Sequence, residues 1–295
     1  MKLAILVLVP ACGVVDEHFT PLPPDATPPP DAPADIAPVV VHGPWSVPRR
    51  IDELSLAGFV DQYPSVRGDG LELYFASNRD GNTQDIYVST RGAPNQPWGA
   101  PAYVAELEGG STETGPDISD DGLTLYFSRA VGGTGTGLDI YVATRASTTG
   151  AWGAPVLVSE LATADTEISP HVTADGLTMY FTRGASTLDI YTANRPTMTS
   201  PWRNIRPVNR FNSAGDDNDV TTPADASEAI FETDRDGALA LYTSARTSEG
   251  TFALPKPIAE LAGGFRADVT ADGRSMVLTM RGPDGSTDLY EAARD

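Results

Sequence analysis

A two-strand unit recurs five times along this chain, and this repeat limits the possible folds more than any other feature. Its clearest copy, 172–195, reads V-T-A-D-G-L-T-M-Y-F-T-R, a short loop, and L-D-I-Y-T-A-N-R. An Asp-Gly turn followed by two β-branched, aromatic segments is typical of a hairpin. The other copies open at 66–75, 118–127, 222–231 and 269–278, and they close at 84–91, 138–145, 239–246 and 287–294. Such internal periodicity indicates a repeat architecture.

An aromatic residue opens an equivalent segment in each period. These residues, spaced by 50 to 54 positions, are Trp45, Trp98, Trp152, Trp202 and Phe252. Each period holds about four strands, and no helical pattern competes with them. Four strands in about 50 residues is the signature of a propeller blade. The sequence therefore predicts an all-β chain, a five-bladed β-propeller of four-stranded antiparallel blades.

The order of strands predicts how the ring closes. The chain enters the repeats with a Trp-led segment, Trp45–Leu54, that has no hairpin before it, and it ends on a hairpin with no Trp-led segment after it. We therefore expect Trp45–Leu54 to supply the outer strand of the last blade, so that no sheet edge is left open between the first and last blades.

The repeated polar and aromatic residues are predicted to be structural. Aspartates before the turn accept backbone hydrogen bonds, and the Tyr-Phe pairs pack between blades. The turn aspartates are Asp69, Asp121, Asp175, Asp225 and Asp272.

The repeats resemble those of the TolB carboxyl-terminal domain, a WD-like propeller family with the pattern Pro-x-x-Ser-x-Asp-Gly-x-x-Leu-Tyr-Phe followed by Asp-Ile-Tyr. The segments 116–122 and 170–176 fit this pattern closely, whereas the fourth unit has Asp225-Ala226 in place of Asp-Gly. The resemblance implies a TolB-like propeller from Trp45 to the end. It implies little about activity, because propellers carry unrelated functions.

The first twelve residues resemble a bacterial lipoprotein signal. Met1-Lys2 precedes an apolar run, 3–9, and Val9-Pro10-Ala11 leads to Cys12, the only cysteine in the sequence. The resemblance implies cleavage before Cys12, lipid attachment to it, and an outer-membrane lipoprotein of the cell envelope. The predicted organisation is a signal peptide at 1–11, an acylated cysteine with a proline-rich spacer at 12–44, and the propeller at 45–295.

Charge narrows the range of partners. The chain has 40 acidic and 20 basic residues, a formal net charge of −20. Such a surface repels phosphate backbones, so nucleic acid is excluded as a partner. The sequence predicts a monomer that meets the membrane through its anchor alone and binds an envelope protein or polysaccharide.

One column of acids is a candidate ligand site at the axis. Four repeats carry an acidic residue nine positions before the glycine position of the turn, namely Asp61, Glu113, Glu167 and Asp217. In the fifth repeat we expect Phe265 at the equivalent position. In one interpretation each acid bonds the backbone of a neighbouring blade. In the other the acids crowd the channel and bind a basic group or a cation, for which Ca²⁺ is suited because it takes several oxygen ligands.

Two functions follow from these features. The first is a lipid-anchored scaffold that binds protein or glycan without catalysis, since the sequence has no nucleophile elbow, phosphate loop or zinc motif, and His171 is the one histidine within the repeats. The alternative is a glycan-processing enzyme that uses two axial carboxylates, a chemistry that requires an acid and a base roughly 5–9.5 Å apart. No cofactor is expected apart from a possible Ca²⁺ ion.

Overall fold

The computed structural model describes residues 42–81, 83–109, 112–130, 137–282 and 284–295. The predicted signal peptide, Cys12 and the spacer as far as residue 41 lie outside these described residues. Within them, no helix is long and apolar enough to cross a membrane. Almost all of the regular structure is β-strand.

Five four-stranded antiparallel sheets confirm the predicted fold. From the inner strand outward, the first blade contains β2 (Asp61–Val66), β3 (Glu72–Ser77), β4 (Asp85–Thr90) and β5 (Ala102–Tyr103). The second contains β6 (Glu113–Ile118), β7 (Thr124–Ala130), β8 (Leu138–Thr144) and β9 (Val156–Leu157). The third contains β10 (Thr166–Val172), β11 (Thr178–Gly184), β12 (Asp189–Asn194) and β13 (Arg203–Pro207).

The last two blades complete the ring. The fourth contains β14 (Asp217–Thr221), β15 (Glu228–Thr233), β16 (Ala240–Ala245) and β17 (Lys256–Pro257). The fifth contains β18 (Gly264–Val269), β19 (Ser275–Arg281), β20 (Thr287–Ala293) and β1 (Arg49–Arg50). The inner strands touch in the order β2, β6, β10, β14, β18 and back to β2, so they surround one axis.

The closure by the first strand of the chain is confirmed. Strand β1, inside the predicted Trp45–Leu54 segment, pairs antiparallel with β20, with Arg50 opposite Tyr290. The contact extends beyond the strand, because the Ile51 amide donates to the Leu289 carbonyl oxygen at 2.8 Å. The outermost strand of the last blade therefore comes from the start of the repeat region, which ties the first and last parts of the propeller together.

The apolar core is divided among the junctions between blades. Five clusters of buried side chains each join two neighbouring blades, and they contain the repeated aromatic pairs. The arginine that ends each hairpin lies over the aromatic residue that opens the next segment, as in Arg91 over Trp98 at 4.1 Å and Arg195 over Trp202 at 4.2 Å. Its Nε also donates to the carbonyl oxygen of the turn glycine in four repeats. One arginine thus links turn, strand and tryptophan through hydrogen bonding and cation–π contact.

The turn aspartates have the predicted role. The Leu71 amide donates to Asp69 at 3.0 Å, and equivalent bonds reach Asp121, Asp175, Asp225 and Asp272. In the fourth repeat Ala226 replaces glycine and still adopts a left-handed φ of 48°. The turn geometry therefore persists where the sequence pattern is weakest.

Ring closure can be tested on two adjacent arginines of β1. Arg50 forms a two-pronged ion pair with Asp288, at 3.0 and 3.1 Å, and the Asp288 carboxylate is almost completely buried. Arg50→Ala would leave that charge uncompensated. We expect a loss of roughly 2–3 kcal/mol in the free energy of unfolding, below the value for a fully buried pair because Arg50 is partly exposed.

Arg49→Ala is the matched control, measured by chemical denaturation beside Arg50→Ala. The Arg49 side chain is 74% exposed and pairs with Glu291 at 3.2 Å, so its loss should cost less than about 1 kcal/mol. Equal effects of the two substitutions would contradict a role for the Arg50–Asp288 pair in closure.

Candidate functional site

Each acid of the predicted column forms a buried ion pair with an arginine at the end of the neighbouring strand. Within the described residues, the nitrogen–oxygen distances are 2.6 Å for Arg79–Asp61, 2.9 Å for Arg129–Glu113, 2.8 Å for Arg183–Glu167 and 2.9 Å for Arg235–Asp217. The four carboxylate side chains are at most 1% exposed. The structure therefore places them inside the junctions between blades, beneath guanidinium groups.

The arginine partners extend this contact to the preceding blade. Arg183, for example, donates to the Leu161 carbonyl oxygen at 2.6 Å and lies over the rings of Phe181 and Tyr191. Arg79, Arg129 and Arg235 repeat the arrangement. These arginines were missed in the sequence, although each one follows a Phe of the repeat by two to four residues. Ligand binding by the four acids stays a prediction.

The fifth member of the column is Gly264, and the expectation of Phe265 was wrong. Gly264 lies opposite Met280 in the pairing of β18 with β19, just as Glu167 lies opposite Arg183. Phe265 comes one residue later and pairs with Thr279. Because adjacent residues of a strand point to opposite faces, a shift of one position exchanges the two sides of the sheet.

A second set of side chains connects the inner strands directly. At the fourth position after the acid column, each side chain accepts a hydrogen bond from a backbone amide of the next blade. The five bonds are Ile118 N to Ser65 Oγ at 2.9 Å, Val172 N to Asp117 Oδ2 at 2.9 Å, Thr222 N to His171 Nε2 at 3.1 Å, Val269 N to Thr221 Oγ1 at 3.3 Å and Val66 N to Asp268 Oδ2 at 2.7 Å. We call these bonds the axial ring.

The axial ring is polar and buried. The Thr222 amide lies 3.1 Å from His171 Nε2, and His171 Nδ1 lies 3.2 Å from Asp117. Burial raises the pKa of Asp268 to about 6, although His171 and two hydrogen bonds oppose the shift. These residues line a cavity of about 20 Å³, which has room for one water molecule and not for a sugar.

A third group lies at the bulges of the inner strands. Each inner strand has a residue with φ between 49° and 55°, and these residues are Tyr63, Gly115, Ser169, Asp219 and Arg266. Bulges change the direction in which a side chain points. Three of these side chains, from three different blades, lie close together. The Arg266 guanidinium lies 4.0 Å from the centre of the Tyr63 ring, and its charge acts on Asp219. All three residues are half-buried.

Glu232, on β15, lies beside this group. It accepts hydrogen bonds from the Arg266 amide at 3.1 Å and from Asn218 Nδ2 at 2.9 Å. Burial raises the pKa of Asp219 well above its usual value, and the Glu232 charge adds to the rise. Burial also raises the pKa of Glu232, against the Arg266 charge. Burial raises the pKa of Tyr63 to about 12.

We call Tyr63, Asp219, Glu232 and Arg266 the axial cluster. It brings two carboxyl groups with raised pKa values together with one guanidinium and one phenol, which suits acid–base chemistry. Asp219 stood near the acid column in the sequence, but Glu232 and Arg266 had no pattern that distinguished them. Their proximity depends on bulges in three different blades, which a single repeat does not reveal.

One further acidic group could hold a metal ion. Asp85, Glu108 and Glu113 each place a carboxylate oxygen within 4.8 Å of the others. Burial and the neighbouring carboxylates raise the pKa of Glu113 to about 7 and that of Asp85 to about 6, with Arg129 opposing the shift at Glu113. A divalent cation with oxygen ligands fits this donor set.

The raised pKa of Asp268 predicts a pH dependence of stability. Its pKa in the folded state exceeds the usual 3.8, so the folded state holds the proton more tightly between pH 4 and 6. The stabilisation that this group contributes to the folded state is fully present at low pH and is lost as the pH rises through 6. Because Asn does not titrate, the free energy of unfolding of the native protein minus that of Asp268→Asn should fall by about 2 kcal/mol from pH 4 to 7.

Ser65→Ala is the control, because it removes an acceptor of the axial ring that neither titrates nor forms a hydrogen bond with Asp268. Measured by urea denaturation, the free energy of unfolding of the native protein minus that of this variant should stay constant from pH 4 to 7. A constant difference for Asp268→Asn as well would show that this carboxyl group has an ordinary pKa.

Comparison with known proteins agrees with the architecture. No protein-family model matches the sequence, and no curated protein matches it. Among solved structures, the chain is similar to a family 117 glycoside hydrolase from the marine bacterium Zobellia galactanivorans, with 12% identity, 85% of this chain and 90% of that chain covered, and a TM-score of 0.62. It is also similar to the catalytic domain of a family 62 α-L-arabinofuranosidase from Coprinopsis cinerea, with 10% identity, coverage of 86% and 97%, and a TM-score of 0.59.

A putative TolB from Agrobacterium tumefaciens is also similar, with 16% identity, coverage of 81% and 83%, and a TM-score of 0.49. At these identities the glycoside hydrolase structures show a shared fold. The chain is a five-bladed β-propeller.

Proposed function

We propose that this propeller is a glycan-processing enzyme whose acid and base are the carboxyl groups of the axial cluster. The observation that carries the proposal is Asp219, a half-buried residue of an inner strand that lies beside Arg266 and Glu232 and whose carboxyl group has a pKa well above its usual value. Hydrolysis of a glycosidic bond needs one carboxyl group that keeps its proton and a second that is ionised. The four acids of the column are less suited to these roles, because each one already pairs with an arginine.

The environment of the two carboxyl groups divides the roles. The Arg266 charge opposes the rise in pKa at both Asp219 and Glu232, whereas the Glu232 charge favours the protonated form of Asp219. We assign the general acid to Asp219, because burial and the Glu232 charge raise its pKa well above its usual value. Glu232 is held by the Arg266 amide and Asn218, and it acts as the base or nucleophile.

Tyr63 and Arg266 complete the site beside Asp219. The stacked ring and guanidinium offer a flat face with hydroxyl and N–H donors beside Asp219. Sugars present both apolar ring faces and hydroxyl groups, so such a surface suits them. Because solved structures with this fold include arabinofuranosidases and an endo-arabinase, arabinofuranosides and arabinan are the first substrates to test.

The proposal predicts that Asp219→Asn lowers kcat on a cleaved glycan by about 10²–10⁴-fold, the usual contribution of a general acid. Sugar release from arabinan, arabinoxylan and agar oligosaccharides would be measured with native protein and variant. Native activity should fall as the pH rises through the raised pKa of Asp219, because the acid then loses its proton.

Asp225→Asn is the matched control, since this exposed turn aspartate lies six residues away and bonds only its own turn. It should keep native activity. Full activity in Asp219→Asn, or no turnover of any of these glycans by the native protein, would contradict the proposal.

The second candidate function is a binding scaffold without catalysis. The ion pairs of the acid column favour it, because they show that repeated acids in this chain serve to join blades. In this case the protein would migrate more slowly in gels that contain an envelope glycan, or would bind an envelope protein, and it would release no sugar. The same assays therefore separate the two functions.

For either function we propose attachment to the outer membrane through Cys12, based on the resemblance of residues 1–12 to a lipoprotein signal. Two or three acyl chains on one residue make a stable anchor. In bacteria grown with labelled palmitate, the full chain should carry label and sediment with membranes, and Cys12→Ser should do neither. An unlabelled native chain would contradict the anchor.

A further inference from the structure

One junction between blades departs from the pattern of the others. In three repeats the second oxygen of the column acid accepts a hydrogen bond from a backbone amide four or five residues earlier. These bonds are Leu56 N to Asp61 at 2.8 Å, Thr163 N to Glu167 at 3.1 Å and Ser213 N to Asp217 at 2.5 Å. Among the described residues, the fourth acid, Glu113, has no such bond: Arg129 donates to Oε1 at 2.9 Å, and Oε2 is buried without a hydrogen-bond partner.

An unpartnered oxygen on a side chain that is 1% exposed is costly. The two carboxyl groups beside Glu113 increase that cost. Asp85 and Glu108 bring their carboxylate oxygens within 4.8 Å of that of Glu113, and Asp85 is itself buried. Three carboxyl groups therefore lie together at this junction. At the three junctions described above, the acid of the column instead accepts a hydrogen bond from a backbone amide.

Glu108 also departs from its equivalents. The residue after the buried leucine or phenylalanine of this loop is Ser55 before the first blade and Asn212 before the fourth. Both are neutral, and each bonds the backbone of the preceding blade, at Leu289 and Ile190. Before the third and fifth blades the residues are Ala162 and Ala262, so Glu108, at the junction of the first and second blades, is the charged member of this set of positions.

We propose that Asp85, Glu108 and Glu113 form a binding site for Ca²⁺ at the junction between the first and second blades. Ca²⁺ binds oxygen ligands at about 2.3–2.6 Å, so one ion can touch oxygens separated by up to about 5 Å. The oxygens of the three residues lie within 4.8 Å of one another, which is inside this span. Three protein carboxylates suit Ca²⁺, because Mg²⁺ is usually held by one or two carboxylates and several waters.

Charge and position agree with this assignment. Three ionised carboxylates and the Arg129 guanidinium leave two negative charges, which one divalent cation neutralises. Asp85 lies on β4 of the first blade, Glu108 follows β5, and Glu113 opens β6 of the second blade. The ion therefore joins two blades at the place where the amide cap is missing.

The test uses the purified full chain and measures Ca²⁺ binding and melting temperature. After treatment with chelator, isothermal titration with CaCl₂ should give one site, and Ca²⁺ should raise the melting temperature. Glu108→Gln should weaken binding at least tenfold and abolish the rise. Glu108 is exposed, so this substitution leaves the core intact, and circular dichroism would confirm that the variant folds.

Glu106→Gln is the matched control. It removes the same charge from the same loop, two residues away, on an exposed side chain outside the three ligands. It should bind Ca²⁺ as tightly as the native chain. Native protein that binds no Ca²⁺ at millimolar concentration, or equal weakening by Glu106→Gln and Glu108→Gln, would overturn the proposal. The result is independent of glycan turnover, which concerns the axial cluster.

Discussion

The propeller depends on the bonds by which each inner strand holds the next. In the axial ring, a side chain of one blade accepts the amide of the following blade, and five such bonds return to their starting point. The acceptors differ in chemistry, since they are a serine, an aspartate, a histidine, a threonine and a second aspartate. The geometry is constant because each repeat places the same strand position at the same distance from the axis. A hydroxyl, carboxylate or imidazole satisfies the amide equally well.

Around this ring, the acid column and its arginines join the blades further from the axis. A carboxylate that begins one inner strand, an arginine on the adjacent strand and the carbonyl of the preceding loop form a contact that appears in four of five junctions. The fifth blade has Gly264 and Met280 at these positions, and there the closing strand β1 contributes the Arg50–Asp288 pair. Candidate functions arise where one repeat departs from this pattern, as at Asp219, Arg266 and the Asp85–Glu108–Glu113 group.

The repeat made the fold predictable to a fine level. The five Asp-Gly units, the Trp-led segments and the unpaired first segment predicted the blade count and the closure by Trp45–Leu54, because each depends on local sequence and on the need to leave no open edge. The site was less predictable. The sequence located the acid column but not its arginines, and it could not show that Asp219, Glu232, Arg266 and Tyr63 converge, because they come from three blades and meet through left-handed bulges.

Native-state hydrogen exchange of the amides in the axial ring tests the account most directly. If the ring holds the inner strands together, the amides of Val66, Ile118, Val172, Thr222 and Val269 will exchange only through global unfolding, all with the same free energy and the same dependence on denaturant. Exchange of any of these amides through a local opening of lower free energy, while the strands around it stay protected, would contradict the account.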